Sequence, residues 1–261
     1  MGDWFQTAPG RYLLDWERRQ FDQAVVNAFG YHALQLGMPS LDALQANRMP
    51  HRWLALDTPA WADVPGLLPQ RLALYTDFAA LPFPAASLDL VVLPHTLEFH
   101  ANPRATLREV ERVLVPEGRL VLCGLNPVSL WGLRQWHAQL SRRVGIGELF
   151  FPDTGEFISP WRLRDWLRLL GFEVETSHFG CYRPPMRTEP WLRRFELMDW
   201  LGPRGWPVLG AVYFMVAVKR VHGMRLLRPG WKVAHVNAAS PVSAARYHRP
   251  SRATTEHHEP H

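Results

Sequence analysis

One stretch constrains the fold more than any other: Asp77 to Pro127, DFAALPFPAASLDLVVLPHTLEFHANPRATLREVERVLVPEGRLVLCGLNP. SLDLVVL and GRLVLCG are short apolar runs bounded by turn residues, the pattern of strands covered on both faces in a parallel sheet. Between them Asn102 can cap a helix with Pro103 at its first position. Leu107, Val110, Val113 and Leu114 then recur at helical spacing. Pro116 and Gly118 end that helix and return the chain. A strand, a helix and a parallel strand make one right-handed crossover unit.

The remainder of the chain extends this unit. Arg11 to Phe29 predicts an amphipathic helix ended by Gly30, and YHALQLG (Tyr31 to Gly37) a strand running into a glycine turn. Ser40 to Ala46 reads as a short helix, Arg52 to Asp57 as a second strand and Arg71 to Tyr75 as a third. Beyond Pro127 an irregular, Trp- and Arg-rich insert precedes a helix that starts at Ser159-Pro160 and stops at Gly171. FEVETSHF and AVYFMVAVKR are two closing strands, separated by a Pro-rich segment with a helix at Trp191 to Leu201. Alternating strands and helices of this kind specify a doubly wound α/β sheet. The expected divisions are an N-terminal helical extension over 1–30, the sheet domain over 31–220 with its insert at about 128–157, and a basic, disordered tail over 221–261.

Composition excludes several classes of function. The 261 residues are 47% hydrophobic, enough for a large core, yet no apolar run reaches the length of a membrane span. The first residues lack a basic-then-apolar leader, so the expectation is a soluble cytoplasmic protein. Cys123 and Cys181 are the only cysteines and cannot form a disulfide framework or a four-cysteine metal site. The net charge of +5 is local: Lys219 to His261 holds eight Lys/Arg against two Glu, and residues 1–218 hold 21 basic against 22 acidic side chains. The body is near neutral, so nucleic acid is not an expected partner of the core, although the tail leaves weak anion or RNA contact open.

Ligands of doubly wound sheets sit at the carboxyl ends of the strands, where strand order reverses. That rule selects Gly37, Asp57, Asp77 and the segment Pro94 to His100. The run from Asp77 to Gly124 resembles the second half of a class I S-adenosylmethionine-dependent methyltransferase, and more narrowly the type 11 methyltransferase domain related to quinone-biosynthesis methyltransferases. The matching residues are Asp77, Leu81-Pro82-Phe83, Ser87 to Val92, His95 to His100 and Leu107 to Leu122, with Gly171-Phe172 later. The resemblance implies a Rossmann-like sheet of about seven strands with the last antiparallel, and S-adenosyl-L-methionine as cofactor. It departs from the family at the first loop, where Gln35 stands for an acid and Gly37 alone remains of three glycines. Glycines there permit positive φ and close approach to the ligand.

Carried over residue by residue, the resemblance implies cofactor contacts from Gln35, Gly37, Asp57, Asp77, Phe78 and Pro94. Asp57 would take the ribose hydroxyls, and Asp77 and Phe78 the adenine. The bland reading of each Asp is a turn cap. His95 is the first candidate for a general base and His100 the second, against the reading of each as a satisfied structural histidine. The spacing of these histidines with Glu98 fits no common metal pattern. PHTLEF at the strand end lacks the (D/N)PP(Y/F) sequence of many N-methyltransferases. Trp131, Trp136, Trp161 and Trp166 read as helix core, although the insert is where an aromatic acceptor pocket could be built. The expected activity is methyl transfer to a small or ring-bearing acceptor. The alternative is a non-catalytic binding or scaffold protein on the same fold.

Overall fold

The computed structural model describes residues 2–58, 72–143, 151, 157–186 and 188–220. The chain divides into Met1–His222 and Gly223–His261; the second unit, with the tail expected to be disordered, lies outside the described residues.

Seven strands form one sheet: β1 (His32–Leu36), β2 (His51–Leu56), β3 (Leu72–Tyr75), β4 (Leu88–Pro94), β5 (Leu114–Leu125), β6 (Phe172–Gly180) and β7 (Val212–Lys219). Their order is β3-β2-β1-β4-β5-β7-β6. β1 to β5 pair in parallel, and β7 runs antiparallel to both β5 and β6. The order reverses between β1 and β4, which opens the ligand crevice expected of such sheets.

Two apolar layers cover the sheet. On one face lies α2 (Ala8–Val25), entered from the short α1 (Gly2–Phe5), with Leu13, Phe21 and Val25 against Val92, Val121 and Phe214. On the other lie α4 (Pro103–Val113), preceded by the single turn α3 (Thr96–Phe99), and α6 (Pro160–Leu169), which follows α5 (Leu130–Arg143). Leu107, Val110, Leu163 and Leu167 pack there on Val91, Leu120 and Leu122. α4 and α6 start where capping chemistry places them: Asn102 Oδ1 accepts from the Ala105 amide at 3.1 Å and Ser159 Oγ from the Arg162 amide at 3.3 Å.

Four expectations are corrected. The first long helix ends at Val25 rather than Phe29, because the Asn47 amide donates to the carbonyls of Val25 (2.8 Å) and Ala28 (3.2 Å) and gives the terminal turn another partner. Ser40 to Ala46 forms turns, not a helix, held by the side chain of Gln35. The helix expected over Trp191 to Leu201 is two, α7 (Glu189–Arg194) and α8 (Leu197–Gly205). Of the tryptophans read as core, Trp131 is buried, whereas Trp136 and Trp161 are exposed.

The conspicuous residues of the central stretch are largely scaffold. Asp89 Oδ2 accepts from the amides of Tyr31 (2.8 Å) and His32 (2.9 Å), fastening the start of β1 to β4. Arg112 donates to the carbonyls of Phe83 (2.9 Å) and Leu81 (3.0 Å) and pairs with Glu109 at 2.8 Å. Glu109 in turn accepts from the Leu81 amide at 3.0 Å. The α4 pair thus fixes the segment that presents Asp77 and Phe78 to the crevice. The Arg112 hydrogen bond lowers the Glu109 pKa from the ordinary carboxylate range. A lowered folded-state pKa contributes stability above the unfolded value that fades as pH falls through the folded one. Glu109→Gln should therefore cost about 1 kcal/mol at neutral pH, given partial exposure of the pair. Urea melts of variant and parent should converge as pH drops below about 4, the unfolded Glu range.

Candidate functional site

At the end of β1 the chain turns through Gly37 (φ 72°) and Met38 (φ 45°). Gly37 donates its amide to Ala55 O at 2.9 Å, and a methyl group added at its Cα would meet Thr96 Oγ1 at 3.5 Å and Phe78 Cε2 at 3.6 Å. The crevice beside Gly37 is therefore walled by Phe78 and Thr96. Gln35 does not face it. Its buried amide nitrogen donates to the carbonyls of Gly37 (3.2 Å), Met38 (3.1 Å) and Leu41 (2.7 Å), and its oxygen accepts from the Ala43 amide at 3.0 Å. The expected cofactor contact by Gln35 is corrected: the side chain is spent on shaping the loop. Replacement of Gln35 by Leu should cost about 1–3 kcal/mol, since it strands buried carbonyls and one amide; a chemical-denaturation curve checks this.

Asp57 stands exposed at the end of β2, its carboxylate hydrogen-bonded to none of the described residues. Asp77 follows β3, also largely exposed; its Oδ1 accepts from the Ala79 amide at 2.8 Å and meets His100 Nε2 at 3.2 Å. The Phe78 ring is buried, 5.5 Å from the His100 ring centre. Asp57, Asp77 and Phe78 thus sit at three adjacent points of the carboxyl edge. Pro94, the last residue of β4, is buried and offers its carbonyl to Thr96 Oγ1.

Neither histidine has the free nitrogen a base needs. His100 Nδ1 accepts from the Asn102 amide (3.3 Å) and meets Thr106 Oγ1 (3.1 Å), which leaves the Nε2 proton for Asp77. His95, in the left-handed region at φ 52°, turns its ring away from the crevice and toward α2. Its Nε2 lies 2.6 Å from Glu17 Oε1 and its Nδ1 2.8 Å from Glu98 Oε2. All three side chains are at most 1% exposed. Glu98 Oε1 also accepts from the Leu125 amide. Burial alone would lower the His95 pKa, but Cys123, Glu17 and Glu98 together outweigh it and hold the imidazolium well above the ordinary histidine range. Burial raises the Glu98 carboxyl, with His95 acting against it. The two histidines expected as bases therefore have both ring nitrogens engaged: His95 bridges Glu17 and Glu98, and His100 anchors Asp77.

Glu17 was not singled out in the sequence. The signal was present, because a charged residue at 17 falls on the same helical stripe as Leu13, Leu14 and Phe21. A carboxylate on the buried face of an amphipathic helix calls for a partner. Removing one member of a buried charged set costs about 3–5 kcal/mol. Glu17→Ala should lose that much in a urea melt, whereas Asp15→Ala, two residues away and exposed, should stay within about 0.5 kcal/mol of the parent.

A cavity of about 400 Å³ lies at the carboxyl end of β6. α2 supplies Tyr12, Trp16 and Arg19, the end of β6 and its following turn supply Phe179 and Tyr182, and α7 supplies Leu192. Arg183 reaches over the Tyr12 ring (4.6 Å to its centre) and pairs with Asp199 at 2.7 Å. Tyr12 donates its hydroxyl to Asp199, and burial drives its pKa far above the usual phenol value, so it stays protonated. None of these aromatic residues was expected as part of a site, because they meet only when α2 and the β6 end come together.

Comparison with known proteins bears on the family. A family profile described as a methyltransferase domain matches residues 63–122, which span the Asp77 segment, β4 and most of β5. An uncharacterized Escherichia coli K12 protein, YafS, is 29% identical over 209 residues, covering 77% of this chain and 74% of that one. A solved Thermotoga maritima structure described as a possible histamine N-methyltransferase superposes with a TM-score of 0.55 at 15% identity, covering 80% of this chain and 92% of that one. An S-adenosylmethionine-dependent methyltransferase from Archaeoglobus fulgidus gives 0.55 at 16% identity, covering 79% and 94%. The domain match thus falls on the segment that builds the crevice, and the chain shares the fold of these solved methyltransferases over most of its length.

Proposed function

We propose that the chain transfers the methyl group of S-adenosylmethionine to a small, ring-bearing acceptor held in the cavity beside α2. The observation that carries this reading is the cavity's lining, where Tyr12, Trp16, Phe179 and Tyr182 gather at the same edge of the sheet as the cofactor crevice. Aromatic walls of this size suit a flat ring. Arg19, without an acidic partner among the described residues, suits an anionic substituent on it.

The residues present fit the cofactor. Asp57, whose carboxylate is hydrogen-bonded to none of the described residues, would accept from the ribose hydroxyls. Asp77 has one oxygen uncommitted for the adenine amino group, and the Phe78 ring would bound the base. Ser40 Oγ, in the loop after Gly37, is buried without a hydrogen-bond partner and is available to the polar methionine end. When bound, the cofactor supplies a methyl already activated on a sulfonium, so the protein's task is alignment and exclusion of water. With both nitrogens of His95 and of His100 engaged, the arrangement favours an acceptor that sheds its proton without a histidine base. Two buried, unpaired cysteines support a reducing, cytoplasmic setting; no helix among the described residues is long and apolar enough to cross a membrane.

Titration calorimetry with adenosylhomocysteine tests the cofactor half. Asp57→Ala should weaken binding by about 10–100-fold, the cost of a lost charge-assisted hydrogen bond, with an unchanged melting temperature. Absence of binding to the folded parent protein would turn the reading to the non-catalytic alternative, in which the same fold serves as a binding module.

A further inference from the structure

Where α2 meets the ends of β4 and β5, three side chains bring three kinds of donor together. The Glu17 carboxylate, a His95 ring nitrogen and Cys123 Sγ all lie within 4.8 Å of one another. Each of the three residues is 5% exposed or less. Glu17 Oε2 is buried with no hydrogen-bond partner, an orphan that the protein groups around it leave unsatisfied. The far nitrogen of His95 is already occupied, with Nδ1 at 2.8 Å from Glu98 Oε2. A carboxylate on the outer nitrogen is the arrangement that orients a metal-bound imidazole and fixes its tautomer.

We propose that Glu17, His95 and Cys123 bind one zinc-like divalent cation, which pins α2 to the carboxyl edge of the sheet. The donor set selects the metal class. Thiolate and imidazole suit borderline-soft ions such as zinc, whereas calcium and magnesium take oxygen ligands. Glu17, His95 and Cys123 supply three ligands, one fewer than the closed set of structural zinc sites, and the orphaned Glu17 Oε2 lies beside the ion as a further oxygen. His95 Nε2 and Glu17 Oε1 are 2.6 Å apart, a separation held by a shared proton. An ion takes that proton's place and opens the pair to roughly 3.3 Å, as tetrahedral bonds of about 2 Å require. The displaced proton and the thiol proton both leave to solvent, so the metal meets a neutral imidazole, a carboxylate and a thiolate. The three ligands come from positions 17, 95 and 123, and the ion would close loops of the chain that the hydrogen bonds alone close more weakly.

The test uses the full chain without an affinity tag, titrated with cobalt(II) as a spectroscopic stand-in for zinc. One equivalent should produce a near-ultraviolet thiolate-to-cobalt charge-transfer band together with intense visible bands of a tetrahedral ion. Cys123→Ser keeps the Glu17–His95–Glu98 hydrogen bonds and should fold, while losing the charge-transfer band. Histidines of the C-terminal segment, such as His257 and His258, can hold cobalt but cannot produce a sulfur band. Elemental analysis after dialysis should find about one more zinc per chain in the parent than in the variant, and added zinc should raise the melting temperature of the parent alone. A parent protein without the band, a band that survives in Cys123→Ser, or equal zinc content in the two would overturn the site.

Discussion

The buried contact between Glu17, His95 and Glu98 sets the arrangement of the functional edge. α2 lies over the sheet through apolar packing of Leu13, Phe21 and Val25, which is itself non-directional and admits small shifts of the helix. Charged groups removed from water tolerate no such freedom, because each needs its partner at hydrogen-bond distance. The pairing of Glu17 with His95 therefore fixes the register of the helix. Once that register is set, Trp16 and Tyr12 face the end of β6 and complete the aromatic cavity.

The same contact engages both ring nitrogens of the histidine at the strand-four end. His95 occupies the position where the chain leaves β4, but its left-handed backbone swings the ring into the layer below α2. What remains at the crevice is Thr96, Phe78 and the Gly37 turn. The rewritten glycine loop follows similar logic. The resemblance implied an acid and three glycines in that loop; here Gln35 holds it by four hydrogen bonds from a single side chain. Rigidity by side-chain bonding replaces conformational permissiveness.

Much of the fold was legible in the residues. Strands with apolar runs bounded by turn residues, helix starts at Asn102-Pro103 and Ser159-Pro160, and the crossover between β4 and β5 all emerged where local chemistry placed them, because each depends on neighbours in sequence. Reading failed where a distant group supplied the partner: Asn47 ended α2 early, and Gln35 turned an expected helix into turns. The placement of the candidate site residues was legible in part. Asp57, Asp77 and Phe78 lie at the carboxyl edge to which strand ends assign them, whereas His95 and His100 were read as available bases and are fully engaged. A side chain's availability is a property of all the groups that surround it, and sequence spacing records only those on its own element.

By itself the sequence determined the doubly wound sheet, the crossover unit and the set of residues at strand ends, since hydrophobic period, caps and turns are local properties with a fixed geometric meaning. Only the tertiary structure decided what those residues do. Glu17 and His95 are 78 positions apart, and the Glu17, His95 and Cys123 donors come together only when α2 closes on the ends of β4 and β5. Contacts of that separation are fixed by packing in three dimensions, so the stretch from Asp77 to Pro127 specifies the crossover unit and its strand ends, while α2 determines which of its polar groups remain free to act.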